Sequence, residues 1–247
     1  SWGPRIASQG VLDHTGLRLD FTQGNSISFE LIGETEIGIG YTLDRERLRP
    51  IDFPVLPGNR DFSRNEKSFF FASSYFDWFT FEGSHGWGTI INFDPPDGQE
   101  PFLANTTESE FLLTLRPRTN LRIDNTYLLT RLNDRFTRAN VLTNHIMRSK
   151  WNYQFNRELS LRVILQYDAV LTNPEFTAEE TTKNFNTDFL VTYLVNPWTA
   201  LYVGYNTNAQ NIDLVPTASG AEIIRRRGRF TNDARQFFIK FSYLLRF

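Results

Sequence analysis

The sequence predicts an all-β protein: an antiparallel up-and-down transmembrane β-barrel of about twelve strands, or the C-terminal part of a larger barrel. Three observations predict this class. Long segments alternate strictly between apolar and polar residues, short turns alternate with long loops, and the polar sides of the strands carry charges of both signs. We expect residues 1–247 to form a single domain, because no repeat, linker or low-complexity tract divides the chain.

Composition restricts the kind of membrane protein that is possible. Phenylalanine occurs 23 times, with 9 Tyr and 5 Trp against a single Met, and aromatic residues favour both strands and membrane interfaces. Mean hydropathy is −0.38, and no apolar run approaches the roughly 18 residues that a membrane-spanning helix needs. Barrel strands average out as polar, because only alternate residues meet lipid. A helical membrane protein is therefore disfavoured.

Charge, cysteine and histidine content exclude several other classes. The 26 Lys and Arg residues nearly balance the 28 Asp and Glu residues, so we expect no nucleic-acid partner. Without cysteine there are neither disulfides nor thiolate metal sites. The three histidines, His14, His85 and His145, lack metal-ligand spacing, and the chain has no GxSxG motif. We expect no catalytic residue, no metal and no cofactor, and we predict that the protein is not an enzyme.

The apolar–polar alternation predicts the strands. It is clearest over 26–43, which predicts one strand far longer than the five or six residues usual in soluble proteins. We expect residues 1–9 to supply a twelfth strand. The other predicted strands are 10–22, 67–81 with a bulge, 86–93, 107–116, 119–130, 145–155, 158–168, 184–195, 199–208 and 234–247.

The connections predict the arrangement of the barrel. Tight turns are expected at 23–25, 83–86, 117–118, 156–157 and 196–198, and long loops at 44–66, 94–106, 131–142, 169–183 and 209–233. Because the two kinds alternate, all short turns should lie at one end and all long loops at the other, as in outer-membrane barrels. The aromatic residues Trp151, Tyr153, Phe155 and Trp198 should lie at the short-turn end, where an interfacial girdle belongs.

A soluble β-sandwich or lipocalin-like barrel is the alternative fold, because such proteins also alternate apolar and polar residues. The length of the strands and the charges at mid-strand favour the membrane barrel. If the apolar sides of 145–168 faced a closed dry core, with the charges outside, the membrane prediction would be wrong.

The polar sides of the strands provide the candidate functional residues. They predict a porin-like channel or uptake component for small hydrophilic solutes, selecting by size and charge. The alternative is a non-transport barrel that anchors or scaffolds a surface complex or a lost N-terminal domain. An outer-membrane hydrolase is the third class considered. The candidate lumen-lining residues are Glu30, Glu34, Arg122, Asp124, Arg148, Lys150, Arg162, Asp188 and Lys240.

The arginine-rich segment 225–229 lies in the last predicted loop. It would either bind phosphates of lipopolysaccharide or an anionic solute, or form a solvated loop beside acidic neighbours. The latter interpretation is the better supported of the two.

The C-terminal strand resembles the assembly signal of outer-membrane proteins. Phe241, Tyr243, Leu245 and the terminal Phe247 alternate with polar or mixed positions. The resemblance implies recognition by the barrel-assembly machinery, location in a bacterial outer membrane, and lipid and lipopolysaccharide as surroundings. The first residues, SWGPRIASQG, show no signal peptide, so we expect the chain to be either cytoplasmic or a mature or truncated product. The abrupt start near a strand favours the second interpretation.

A narrower resemblance covers about residues 107–247. The segments LRPRTNLRIDNTYLLTRL, RSKWNYQFNRELSLRVILQYD, DFLVTYLVNPWTALYVGYNTNAQN and RQFFIKFSYLLRF look like a barrel domain of unknown function. That domain follows a carbohydrate-binding family-9-like domain in a group of bacterial outer-membrane proteins. The chain lacks the carbohydrate-binding part, so the resemblance transfers neither a sugar site nor catalytic residues.

Overall fold

The computed structural model describes residues 1–196, 198–217, 220–226 and 228–243, and the fold is all-β over this part of the chain. Twelve strands form one antiparallel sheet in which each strand pairs with the next along the chain. They are β1 (Trp2–Leu12), β2 (Arg18–Leu31), β3 (Thr35–Leu48), β4 (Arg60–Phe76), β5 (Phe79–Asn92), β6 (Phe102–Arg118), β7 (Leu121–Asp134), β8 (Asn140–Gln154), β9 (Leu159–Thr172), β10 (Thr182–Asn196), β11 (Thr199–Gln210) and β14 (Thr231–Tyr243). No helix in the described residues is long and apolar enough to span a bilayer.

Between β11 and β14 the chain forms a separate two-stranded hairpin, β12 (Ile212–Thr217) and β13 (Gly220–Arg225). The last strand of the main sheet therefore pairs with β11, and β1 and β14 are the two edge strands. Twelve strands agree with the predicted number, and residues 2–9 do belong to the first of them.

The predicted difference between the two ends of the sheet is confirmed. One end, the short-turn end, has connections at 32–34, 77–78, 119–120, 155–158 and 197–198. The other, the loop end, has those at 13–17, 49–59, 93–101, 135–139, 173–181 and 211–230. The true loops are shorter than predicted, because charged segments on either side of them continue the strands. Residues 44–48 pair with 60–64, for example, and Arg47 lies opposite Asp61 in an ion pair of 2.5 Å.

The smallest of these loops is held by one carboxylate. Asp13 accepts hydrogen bonds from the Thr15 hydroxyl (2.7 Å) and from the backbone N–H groups of Thr15 and Leu17 (2.8 and 2.9 Å). These bonds, that of the Thr15 hydroxyl most of all, hold the pKa of Asp13 below its usual value. The Asp13 N–H still donates to the Leu17 carbonyl at 2.9 Å, but the Leu17 N–H bonds to the Asp13 side chain instead of the Asp13 carbonyl, which closes the turn.

The prediction of one strand over 26–43 is wrong, as is that over 10–22. Residues 26–43 form a hairpin whose turn is 32–34, with Gly33 and Glu34 at positive φ (74° and 50°). Leu31 pairs with Thr35, so an even number of positions separates the two partners. Alternation therefore continues in phase through the turn, and the pattern hides it.

Two predicted turns lie well inside strands instead, and a third, 117–118, is formed by the last two residues of β6. Residues 23–25 belong to β2 and residues 83–86 to β5. In β5, glycine serves close packing. A Cβ atom on Gly83 would lie about 3 Å from the rings of Phe81 and Phe111. The neighbouring Gly88 lies under the backbone of β4, where a Cβ would be 1.9 Å from the carbonyl oxygen of Asn65. Glycine in a strand can mark such close approach rather than a turn.

Pairing register assigns every strand residue to one of two faces. The apolar face carries the predicted apolar sets of β7–β10; Tyr127, for example, pairs with both Phe111 and Met147. The polar face carries the alternating residues. The predicted bulge in β4 is confirmed, since the register shifts between Ser73 and Phe76.

Candidate functional site

Eight of the nine candidate lumen-lining residues lie on the polar face. Glu34 is the exception, because it belongs to the turn 32–34 and its carboxylate accepts a hydrogen bond from the Ser74 hydroxyl at 3.1 Å. On the polar face, Glu30 lies opposite Glu36 on the neighbouring strand, and Glu36 was not among the candidates. The eight residues on the polar face are Glu30, Arg122, Asp124, Arg148, Lys150, Arg162, Asp188 and Lys240.

Strands β7 to β9 form a basic sector of the polar face. Asp124 pairs with Lys150 across the strands, accepts from Arg122 Nε at 2.8 Å and accepts from the Thr114 hydroxyl at 2.8 Å. The other cations of the sector make no ion pair with a described residue. Those cations are Arg148, Lys150 and Arg162.

Strands β2 to β6 form an acidic sector that the sequence analysis largely missed. Among the described residues, basic side chains share this part of the face toward the loop end, at Arg18, Arg60 and Arg64, and Arg116 lies at the short-turn end of β6. Four of the carboxylates were missed because their segments were taken as turn or loop or had no clear face. The nine carboxylates are Asp20, Glu30, Glu36, Asp44, Glu46, Glu66, Glu82, Glu108 and Glu110.

The remaining candidates lie on β10 and β14. Asp188 accepts a hydrogen bond from the side-chain amide of Asn206, its partner on β11. The Lys240 ammonium lies 5.9 Å from the centre of the Tyr202 ring. Phe238, the one aromatic residue of β14 on this face, packs over Gly204, where a Cβ would come within 2.2 Å of its ring. Apolar filling here is local, because the bare glycine provides the space for the ring.

The loop 173–181 crosses the loop end on the polar side. It reaches from the β9–β10 connection to the β5–β6 connection, past the two strands between them. Asn92 Nδ2 donates to the carbonyl of Phe176 at 2.8 Å, and the Thr177 hydroxyl donates to the carbonyl of Asp94 at 2.8 Å. Phe176 packs against a buried cluster that includes the polar-face residues Ala104 and Leu132. A loop can join these two hairpins in this way if the polar face is concave.

The apolar face, by contrast, is exposed. Met147 is 51% exposed, Trp151 43% and Phe189 42%, all at mid-strand or toward the short-turn end. If the apolar sides of 145–168 faced a closed dry core, these side chains would be buried, and their exposure is the reverse of that arrangement. On β14, Phe237, Ile239, Phe241 and Tyr243 are exposed as well.

Aromatic residues are dense at the short-turn end. Trp151 and Tyr153 precede the turn 155–158, and the Tyr153 ring lies 4.7 Å from that of Phe155. A second group surrounds the turn 77–78 and was not predicted: Tyr75, Phe76, Trp78 and Phe79, with successive ring centres 5.0 to 5.8 Å apart. Aromatic rings therefore cluster at the short-turn end of two separate hairpins, β4–β5 and β8–β9.

The histidines bear on the hydrolase hypothesis. His14 lies in the loop 13–17, and the Nδ1 of His145 is hydrogen-bonded to the Tyr127 hydroxyl at 3.0 Å. The Nδ1 of His85 is hydrogen-bonded to the hydroxyl of Ser109 at 2.8 Å. In the described part of the chain, no carboxylate or amide orients His85 from its other side. Ser109 is 8% exposed, so the bond satisfies two polar groups on an apolar surface.

Two arginines of the arginine-rich segment form ion pairs with acidic neighbours. Arg225 lies 3.3 Å from Glu180, and Arg226 lies 3.0 Å from Asp213. Arg227 is outside the described residues. Over the described ranges, no group of three or more histidine and acidic side chains is close enough to hold a metal ion.

No protein-family model matches the chain, and none of the curated proteins matches it significantly.

Proposed function

We propose that the chain is a β-barrel of a bacterial outer membrane, and that its polar face lines a passage for small hydrophilic solutes. The observation that carries this proposal is the polarity of the sheet: the charged face is on the side bridged by the loop 173–181, and the aromatic face is exposed. Exposed apolar area costs about 25 cal/mol per Å² in water, and a bilayer removes that cost. The aromatic residues at the short-turn end support the same orientation.

The exposed edges support closure of the sheet. Every residue of β1 is exposed, and so is every described residue of β14 after the first. β1 begins at the short-turn end of the sheet, and β14 runs toward that end. Unpaired strand edges are excluded from the hydrocarbon region, because each unsatisfied backbone group costs several kcal/mol there. Since β1 and β14 run in opposite directions, they can pair with each other as an antiparallel seam.

The charges of the polar face suggest how such a passage would select. With the sheet closed, the acidic sector of β2 to β6 would stand across the lumen from strands that carry Arg148, Lys150 and Arg162. Two walls of opposite sign create a field across the path, which acts on the charge and dipole of a solute. No chemical step is needed, so this function requires neither a cofactor nor catalytic residues.

Planar-bilayer conductance tests the proposal. We expect the folded protein to give ohmic currents, and the triple variant Arg148→Gln, Lys150→Gln and Arg162→Gln to shift the reversal potential toward cation selectivity. The control is Arg116→Gln, Arg118→Gln and Arg157→Gln, which removes three cations at the short-turn end. A correctly inserted but silent barrel would contradict the passage and favour the anchor or scaffold role.

Assembly and family remain part of the proposal. Phe241 and Tyr243 lie on the exposed apolar face of β14, as an assembly signal at the lipid side requires. Leu245 and Phe247, the other two residues of that signal, lie outside the described residues. The barrel-assembly machinery, surrounding lipopolysaccharide, and other subunits of a surface complex are the proposed partners. The barrel domain found behind family-9-like carbohydrate-binding domains is the proposed family.

A further inference from the structure

Most charged residues on the apolar face of the described strands lie toward the loop end. Register assigns six cations and one carboxylate to this loop-end level: Arg45, Arg47, Asp61, Lys67, Arg131, Lys183 and Arg235. Below that level the apolar face of the described strands has no Asp, Glu, Lys or Arg until Arg118, which pairs with Leu121 beside the short turn 119–120. The charges of the apolar face are therefore concentrated near the loop end, and most of them are positive.

The single carboxylate at this level is ion-paired with one of the cations. Asp61 lies directly opposite Arg47, which donates to it from Nε at 2.5 Å and from a terminal nitrogen at 2.7 Å. This bidentate pair is neutral. Arg45, Lys67 and Arg131 make no ion pair with any described residue, so the level retains an excess of positive charge. We name Arg45, Lys67, Arg131, Lys183 and Arg235 the cationic rim.

Pairing aligns part of the rim with aromatic side chains. Lys67 pairs with Trp87, Trp87 with Thr107 and Thr107 with Arg131, so two cations share one row across four strands. Trp87 is 45% exposed. Tryptophan beside lysine or arginine is the composition of a membrane–water interface.

The distance from the rim to the short turns matches a membrane. On β8, the row of Arg131 reaches Thr143, and the apolar face continues through His145, Met147, Ser149 and Trp151 to Tyr153. Ten residues of a strand tilted by about 40° span roughly 25 Å, the height of the apolar band of outer-membrane barrels. The rim therefore lies where lipid phosphates would be if the short-turn aromatics lie at the opposite interface.

We propose that the cationic rim binds the phosphate groups of anionic lipids in the leaflet on the loop side. The inference rests on the proposed membrane barrel and names the lipid class at its surface. Charge complementarity argues for this occupant, because guanidinium and ammonium groups pair with phosphate. A lipid also provides acyl chains for the aromatic rows beneath, including Phe69 and Phe111, which a free phosphate ion does not.

The test compares two variants of the full chain with the same loss of charge. The rim variant is Arg45→Gln, Lys67→Gln and Arg131→Gln. The control is again Arg116→Gln, Arg118→Gln and Arg157→Gln, at the opposite end of the sheet. Each protein is titrated in micelles with diphosphorylated lipid A, and bound lipid is counted by native mass spectrometry, with phosphatidylcholine as the zwitterionic comparison.

We expect the rim variant to lose affinity for diphosphorylated lipid A by about tenfold or more, because each cation near an anionic surface contributes about 1 kcal/mol. The control should bind like the wild type, and phosphatidylcholine binding should not change. Excess inorganic phosphate should displace little of the lipid. Equal lipid A binding by the rim variant and the wild type would overturn the inference, as would full displacement by inorganic phosphate.

Failure of the inference can be distinguished from failure of the proposed function. Insertion is measured first, as resistance of the β-sheet circular dichroism signal to urea in phosphatidylcholine vesicles. A wild-type chain that does not insert overturns both proposals. Insertion with unchanged lipid A binding overturns only the rim. If the triple variant does not fold, Arg131→Gln alone, with Arg157→Gln as its control, is tested for the same loss.

Discussion

Glycines on the strands hold space for specific neighbours. Gly204 provides room for the Phe238 ring, and Gly83 for the rings of Phe81 and Phe111. Gly88 is the most constrained, because its Cβ position lies 1.9 Å from a backbone oxygen rather than from a flexible side chain. At such a position the backbone of two strands must separate to admit a methyl group.

Gly88→Ala should therefore destabilise the protein by about 1–3 kcal/mol, the usual cost of overpacking. The matched control is Gly58→Ala, in the loop 49–59, where a Cβ meets nothing within 4 Å. That change should stay within about 0.5 kcal/mol of the wild type. Urea unfolding in micelles, followed by tryptophan fluorescence, measures both. Equal stability of the two variants would show that the β4 and β5 backbones are not in close contact here.

The loop 173–181 links two hairpins at the loop end of the sheet. Its link to the β5–β6 connection depends on Thr177, which is 2% exposed and donates to the carbonyl of Asp94 at 2.8 Å. The backbone N–H of Ala178 donates to the same carbonyl at 3.0 Å. Phe176 is held beside Thr177 and packs on the polar side of the sheet.

Thr177→Val should loosen this loop, since replacing the hydroxyl removes one hydrogen bond to the Asp94 carbonyl, which contributes roughly 0.5–1.5 kcal/mol. We expect faster cleavage by a glutamate-specific protease at Glu175, Glu179 or Glu180. Thr119→Val, at an exposed position in a short turn, is the control and should leave cleavage unchanged. Unchanged cleavage of Thr177→Val would mean that the backbone bonds alone hold the loop.

The stagger of the whole sheet indicates how it can close. The row of paired residues that begins at Trp2, at the short-turn end, passes through Phe111 and Met147 and reaches β14 at Asn232, near the loop end. For twelve strands tilted by 35–45°, the stagger of a closed barrel is about 12 to 16 residues and is even. Staggers of about 12 and 14 place Ile6 opposite Phe241 and Tyr243, respectively.

A disulfide cross-link tests this closure, and the chain has no cysteine of its own to interfere. We expect Ile6→Cys to cross-link under oxidation with either Phe241→Cys or Tyr243→Cys, which a change in gel mobility detects. Ile6→Cys with Phe237→Cys is the control, because those positions would be too far apart in either register. If none of the pairs cross-links in the folded protein, β1 and β14 are not neighbours at a stagger of about 12 or 14.

Much of the architecture followed from the sequence. Alternation has a period of two, so it determined the apolar and polar faces of β7 to β10, and the alternating connections determined which end carries the loops. These features are local, because each depends on about a dozen consecutive residues. For the same reason Arg122, Asp124, Arg148, Lys150, Arg162 and Asp188 could be assigned to one face.

Where the alternation is ambiguous, only the tertiary structure decided which residues form each strand and which face they occupy. The turn 32–34 preserves the phase of the pattern, so pairing alone separates β2 from β3 and removes Glu34 from the polar face. The part of the acidic sector on β4 to β6 depends on how β4, β5 and β6 pair, and the glycines of residues 83–86 in β5 had suggested a turn there instead. The loop 173–181 on the polar side and the cationic rim depend on residues far apart in sequence, which a local period cannot bring together.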